Sequence, residues 1–316
     1  MPRIVMSLLC VLVLMTCAWL AHDSEAFSQA GRPGKVAGPD HEQPPGENRV
    51  SITIDGDRRV IRSNGIPDHP TGRFPNRGNP NRIAAQDYSF SVPAKPVEAD
   101  RPTRLGMYPF GVAVNGVPFD PAAAEWWQND RRSGWQYEPL TGGINLGVDG
   151  SFAHVQPSGA YHYHGVPTGL IDKLKGRDKM TLIGWAADGF PIYGPWGVTD
   201  PKDAASPVKR MRSSYRVKMG SRPDGPGGKH DGTFVADWEF VSGTGDLDDG
   251  HGTFGATPEF PNGIYHYHVT DEFPFIPRQF RGTPDRSFFR GGPGGPGGGG
   301  PPPGGGRPPA KKKKNT

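Results

Sequence analysis

An all-β domain, a sandwich or barrel-like assembly of two pseudo-repeated halves with few short helices, is the fold class the sequence predicts. Glycine (47) and proline (36) punctuate the chain at short intervals, short apolar or alternating runs lie between them, and two local patterns occur twice. Runs of this length bounded by turn formers read as strands rather than helices. In chain order they fall at 50–54, 88–92, 111–114, 181–185, 215–218, 234–235 and 238–241. Only 122–129 and 170–175 read as helical. The strand-rich part, 49–290, falls within the size that one all-β domain reaches, and no linker divides it.

The flanks read differently. A positive start, an apolar run over 4–20 and a small residue at Ala26 make residues 1–26 a secretory signal peptide cleaved near Ala26, with lipoprotein anchoring at Cys17 as a lesser alternative. The expected location is secreted or periplasmic. Both cysteines, Cys10 and Cys17, lie in this leader, so the remaining chain has no disulfide framework, thiolate nucleophile or Cys ligand. Residues 27–48 read as a disordered linker. Residues 291–316 read as a disordered Gly/Pro-rich tail ending in four consecutive lysines. Arg307 and those lysines contribute +5, so the formal charge of +4 becomes −1 without them. The globular part is therefore not basic, and no nucleic-acid partner is expected. The lysine cluster suits either a solvated tether or attachment to an acidic envelope polymer.

Tyr161-His162-Tyr163-His164 recurs as Tyr265-His266-Tyr267-His268 in a chain with ten histidines. On a strand, alternation sends both imidazoles of each word to one face and both tyrosines to the other. Same-face neighbours stand about 6.5 Å apart at Cα, a gap two imidazoles can close around an ion about 2.0–2.1 Å from each nitrogen. The second duplication sets Gly111-Val-Ala-Val-Asn-Gly-Val-Pro-Phe119 against Gly184-Trp-Ala-Ala-Asp-Gly-Phe-Pro-Ile192. Each copy reads as a β-hairpin with a type I′ turn at Asn115-Gly116 or Asp188-Gly189. The halves, about 105–168 and 180–270, are then related by a pseudo-twofold axis, with extra residues in the second half at 199–231. Such an axis would set His162 and His164 opposite His266 and His268 around one shared ion. His154 is a candidate fifth ligand, and Tyr163, Tyr267 and Asp188 are candidates for supporting the ligands.

These residues resemble the YHYH-domain proteins, a family named for the word. The resemblance rests on Ser63-Asn-Gly-Ile-Pro-Asp-His-Pro70, Asn79-Pro-Asn81, the segment 184–195, and the runs that end in the words, 154–164 and 257–268. It implies a secreted domain with a suspected metal site and names no reaction. Relatives often carry Leu-Asp-Glu-Cys-Asn-Gly where this chain has Leu247-Asp-Asp-Gly-His-Gly252, and a Cys in place of Gln279. The resemblance thus implies a disulfide in relatives that is replaced here, with His251 introduced.

Without cysteine, and without the oxygen ligands that calcium or magnesium requires, copper or zinc is the expected ion. The preferred function is a metal-binding protein whose ion stabilises the domain or is carried. A metal-dependent hydrolase or oxidase using the same histidines is the alternative, although no familiar catalytic motif is present. A metal-free structural envelope module, with the histidines as core residues, is the third. His69 and His230 read as exposed loop residues. Asp246, Asp248 and Asp249 read as a solvated acidic loop, and Trp126, Trp127, Trp135, Trp185 and Trp196 as core.

Overall fold

The computed structural model describes residues 41–289; the leader, residues 27–40 and the tail lie outside the described residues. Glu42 and Thr71 exchange two backbone hydrogen bonds, and the Asn48 amide donates to Asn115 O at 2.8 Å. The stretch expected to be an unstructured linker is therefore built into the domain from residue 42 onward.

Strands β1 (Val50–Asp55), β2 (Arg58–Ser63) and β3 (Tyr88–Pro93) form an antiparallel meander. In β3 the apolar Tyr88, Phe90 and Val92 are buried and alternate with half-buried serines, as a pleated strand with one covered face requires. Short strand β4 (Thr103–Arg104) follows and pairs with the last strand.

The larger sheet holds both repeats. The first half supplies β5 (Gly111–Ala113), β6 (Pro118–Phe119), β7 (Ala153–Val155) and β8 (Tyr161–Tyr163). A short helix, α1 (Thr168–Lys173), then leads to the second half, which begins with β9 (Leu182–Ala186) and β10 (Pro191–Tyr193). Four strands are inserted next: β11 (Trp196–Val198), β12 (Val208–Arg210), β13 (Tyr215–Val217) and β14 (Trp238–Phe240). The second half closes with β15 (Gly252–Gly255) and β16 (Ile264–His268), and β17 (Gln279–Phe280) returns to β4.

The strand order of the eight-stranded sheet is β15-β16-β10-β9-β5-β6-β8-β7, and it displays the pseudo-twofold directly. At the centre β5 and β9 pair antiparallel around Val112↔Trp185. Outward from each lies its hairpin partner, then a Tyr-His strand running parallel to that partner (Phe119↔Tyr163 on one side, Ile192↔Tyr267 on the other), then an antiparallel edge strand. The sheet is open, with β15 and β7 as its edges, so the barrel alternative is replaced by two sheets sharing a core. Ile61, Phe90 and Val92 of the meander pack into the same cluster as Val112, Phe119, Trp185 and the tyrosines of both words.

Hairpin chemistry differs in one respect from the type I′ expectation. Only the glycines adopt positive φ, Gly116 at 80° and Gly189 at 90°. Gly116 N donates to Ala113 O while Ala113 N donates to Val117 O, and Gly189, Ala186 and Phe190 repeat the pattern. This is a type I turn closed by a left-handed glycine, a three-residue loop rather than a two-residue one. Of the two expected helices, 170–175 corresponds to α1, whereas 122–129 contains only a 3₁₀ turn at Trp127–Asn129.

Hydroxyl groups fix the tyrosine face. Tyr161 donates to Asp149 at 2.7 Å and Tyr265 to Asp248 at 3.0 Å. Tyr163 OH takes the Asn115 amide at 3.0 Å and meets His69 Nε2 at 2.7 Å; Tyr267 donates to Asp188 at 2.7 Å and accepts from Arg281 N at 2.6 Å. Each second tyrosine is thus tied to the turn residue of its own half's hairpin. Removing one hydroxyl strands buried partners, which costs about 1–3 kcal/mol. Tyr267→Phe is expected to lower stability by about that amount in urea unfolding; an unchanged midpoint would show that the hydroxyl is not a structural tie.

Candidate metal centre

The word in β8 meets a third histidine from β7. His154 and His162 are direct cross-strand partners, and His164 follows two residues on, where strand alternation returns the side chain to the same face. The three rings cluster with centroids 4.6 Å (His154–His162), 4.8 Å (His154–His164) and 4.8 Å (His162–His164) apart. Their ligand atoms all lie within 4.8 Å of one another, and among the described residues this is the group of three His, Cys, Asp or Glu side chains close enough to share an ion. His162 Nε2 and His164 Nε2 are 3.1 Å apart. Two nitrogens each about 2.0–2.1 Å from one tetrahedral ion stand about 3.3 Å apart, so that edge is nearly set.

Backbone carbonyls orient two of the rings. His154 Nδ1 lies 3.1 Å from Leu146 O and His162 Nδ1 lies 3.2 Å from Ala160 O. A carbonyl only accepts, so each Nδ1 carries the proton and Nε2 is the nitrogen with the lone pair. This is the outer support that ligating histidines ordinarily have. Burial, then the charge His162 would carry, lowers the His154 pKa to about 3; burial, then His154, His162 and Arg278, puts His164 well below its usual value. Both imidazoles are therefore neutral at physiological pH, as ligands must be.

The surroundings carry charges that the sequence reading did not single out. Asp120, 1 % exposed, raises the proton affinity of both His154 and Arg278. Arg278 donates to the buried Glu138 at 3.1 Å. Asp120 thus favours positive charge at His154, while Arg278, held by Glu138, opposes it at His164. The Asn79 amide, part of the string Asn79-Pro-Asn81, donates to Val155 O at 2.9 Å and lies 3.3 Å from His154 Nδ1, holding the β7 edge in place.

The second word lies elsewhere. Four strands lie between β16 and β8, five strand-to-strand steps, on the order of 24 Å at about 4.8 Å per step. One shared shell of His162, His164, His266 and His268 is therefore not formed. The pseudo-axis passes between β5 and β9, the innermost strands, whereas the words occupy the next-to-edge strands, so symmetry separates them. Tyr163, Tyr267 and Asp188 sit in the tyrosine-face network instead of beside the imidazoles. Asp188 is fully buried, and burial raises its pKa to about 6 against the hydrogen bonds from Tyr267, Gly282 N and Phe190 N.

Several other residues are placed. His251, in the position that Phe152 occupies in the first half, is buried with Nε2 2.8 Å from Thr270 Oγ1 and is not part of the trio. His69 is 3 % exposed and His230 Nδ1 lies 3.0 Å from Asp237, so neither is the exposed loop residue expected; each is covered because a buried hydroxyl or carboxylate pairs with its ring. Gln279 donates to Asp249 at 3.2 Å, bringing together the two stretches that the resemblance joins by a disulfide in relatives. Asp246 pairs with Lys209 while Asp248 accepts from Tyr265, so the acidic loop does not converge on one point. Trp135 and Trp185 are buried, and Trp126, Trp127 and Trp196 only half-buried.

The family model described as YHYH protein matches residues 89–282. The chain belongs to the YHYH family. No curated protein and no solved structure matches it. The match spans both words, the whole eight-stranded sheet and the insertion between β10 and β15.

Five buried or half-buried histidines have lowered values: His154 and His251 about 3, His266 about 4, and His164 and His268 well below normal. The unfolded chain, titrating near pH 6.5, binds protons that the folded chain refuses, so stability falls as pH drops below about 6.5. Asp188, raised to about 6, and Glu138 and Asp248, also raised by burial, act in the opposite direction as pH falls, but they are three groups against five histidines. The urea midpoint of the metal-free protein is expected to fall steadily from pH 7 to pH 4.5, and a flat profile would contradict neutral, buried imidazoles.

Proposed function

We propose that this YHYH domain is a metal-binding module whose centre is His154, His162 and His164, holding copper or zinc in a protein that acts outside the cytoplasm. The observation that carries this reading is the convergence of three ring nitrogens from two adjacent strands. Two of the three rings are oriented by backbone carbonyls, and a buried carboxylate stands close by. A purely structural role for the histidines does not call for three imidazoles within one ion's reach. An all-imidazole donor set suits zinc and copper(II), and when bound the ion would add Lewis acidity and cross-link β7 to β8. The leader-like segment at 1–26 supports export.

Ligand number favours a second reading. Three protein ligands are the number found in catalytic zinc sites, which keep a fourth position for water or substrate. On that reading the protein is a metal-dependent hydrolase or oxidase, and Asp120 is the nearby group available to hold a proton.

The test is metal content by elemental mass spectrometry of the full chain after zinc loading and dialysis. One zinc per chain is expected, falling below a tenth in the His162→Ala/His164→Ala double variant and persisting in His266→Gln. Equal zinc in parent and double variant, with both folded by circular dichroism, would overturn the assignment.

A further inference from the structure

The second half lacks the histidine that completes the first. In the register of β15 with β16, Thr253 stands opposite His266, the place His154 holds opposite His162. The remaining pair nevertheless keeps the same disposition, with ring centroids 5.2 Å apart and planes at 66°, against 4.8 Å and 66° in the first half. Both rings are pinned through Nδ1, His266 to Ile264 O at 2.9 Å and His268 to Gly194 O at 2.8 Å. Because carbonyls only accept, both Nδ1 atoms carry protons and both Nε2 atoms present lone pairs. His268 is completely buried, yet its Nε2 has no hydrogen-bond partner. A bare acceptor held in place by its own ring partner is costly unless something electrophilic meets it.

A cavity of about 170 Å³ lies at this spot, lined by both histidines together with Gly197 and Met211, and its rim includes the exposed Thr199, Lys209 and Phe254. Met211 follows β12 in the insertion that the first half lacks, and its backbone N donates to Pro195 O at 2.9 Å. Its sulfur and His268 Cε1 lie 2.6 Å and 3.2 Å from the point a Cβ on Gly197 would occupy, so they are no farther apart than the sum of those distances. Gly197 thus leaves the space in which thioether and imidazole approach each other. The charged groups lining the cavity, Lys209 and Asp246, pair with each other at 2.7 Å and leave no net negative charge for a divalent ion.

We propose that His266, His268 and Met211 form a second, separate metal site selective for copper(I). Two imidazoles and one thioether are a soft, uncharged donor set, and thioether ligation favours copper(I) over zinc. The insertion supplies the third ligand where the second half has Thr253 in place of a histidine, so one duplicated scaffold carries two sites of different softness. The assignment does not depend on an ion at His154, His162 and His164.

The probe is copper(I) itself, kept reduced with ascorbate and presented to the full chain in competition with a chromogenic copper(I) chelator, alongside copper K-edge X-ray absorption. The parent is expected to show a sulfur shell, and Met211→Leu, which conserves volume, to lose it and to weaken copper(I) binding at least tenfold with an unchanged thermal midpoint. His154→Gln is expected to keep the sulfur shell even if zinc binding is lost. A parent spectrum with nitrogen neighbours alone would overturn the proposal, as would undiminished affinity in folded Met211→Leu or loss of the sulfur shell in His154→Gln. The parent spectrum decides even if a variant fails to fold.

Discussion

The period-two alternation of β8 and β16 is the constraint on which the rest depends. A strand that buries tyrosines on one face must offer its intervening histidines on the other, and here the tyrosines cannot let go. Their hydroxyls are held by Asp149, Asp248, Asp188 and Asn115, and a one-residue slip would carry four rings out of the core while bringing imidazoles into it. The imidazole pairs are therefore presented by the packing of the opposite face. That coupling explains why polar side chains are spent deep in an apolar cluster: they fix register, and register sets which nitrogens face each other.

The pseudo-twofold gives two copies of this arrangement and also separates them. With the axis between β5 and β9, equivalent residues lie farther apart the farther their strands are from the centre. The next-to-edge position of both words makes two sites geometrically natural and a single four-histidine shell unattainable. The two copies differ. The first half has a histidine on its edge strand at His154, while the second has Thr253 there and an inserted segment that carries Met211 to the same cavity as its imidazoles. Buried histidines with depressed proton affinity occur in both halves, so either site reaches the neutral, ligand-ready state without external help.

Much of the fold was legible in the chain. The duplicated hairpins at Asn115-Gly116 and Asp188-Gly189 located the symmetry, and the Tyr-His words located the strands that carry imidazoles. Their mutual distance was not legible, because local repeats reveal that an axis exists but not how many strands lie between it and the repeat. His154 stood out by its closeness in sequence to the first word. Met211, Asp120 and Arg278 did not, since one of two methionines in a polar insertion, an aspartate after a hairpin and an arginine near the C-terminal strand acquire meaning only from tertiary contacts. The type I′ assignment failed for a related reason: Asn-Gly and Asp-Gly serve equally in a type I turn closed by a left-handed glycine, and the flanking pairing decides between them.

The most direct test of the account is anomalous diffraction from crystals of the full chain grown with zinc, collected on both sides of the zinc edge. The account predicts an anomalous peak bounded by the side chains of His154, His162 and His164, with no zinc linking one Tyr-His word to the other. A peak bridging the two words, or no peak at the three imidazoles in a crystal that holds zinc elsewhere, would contradict it.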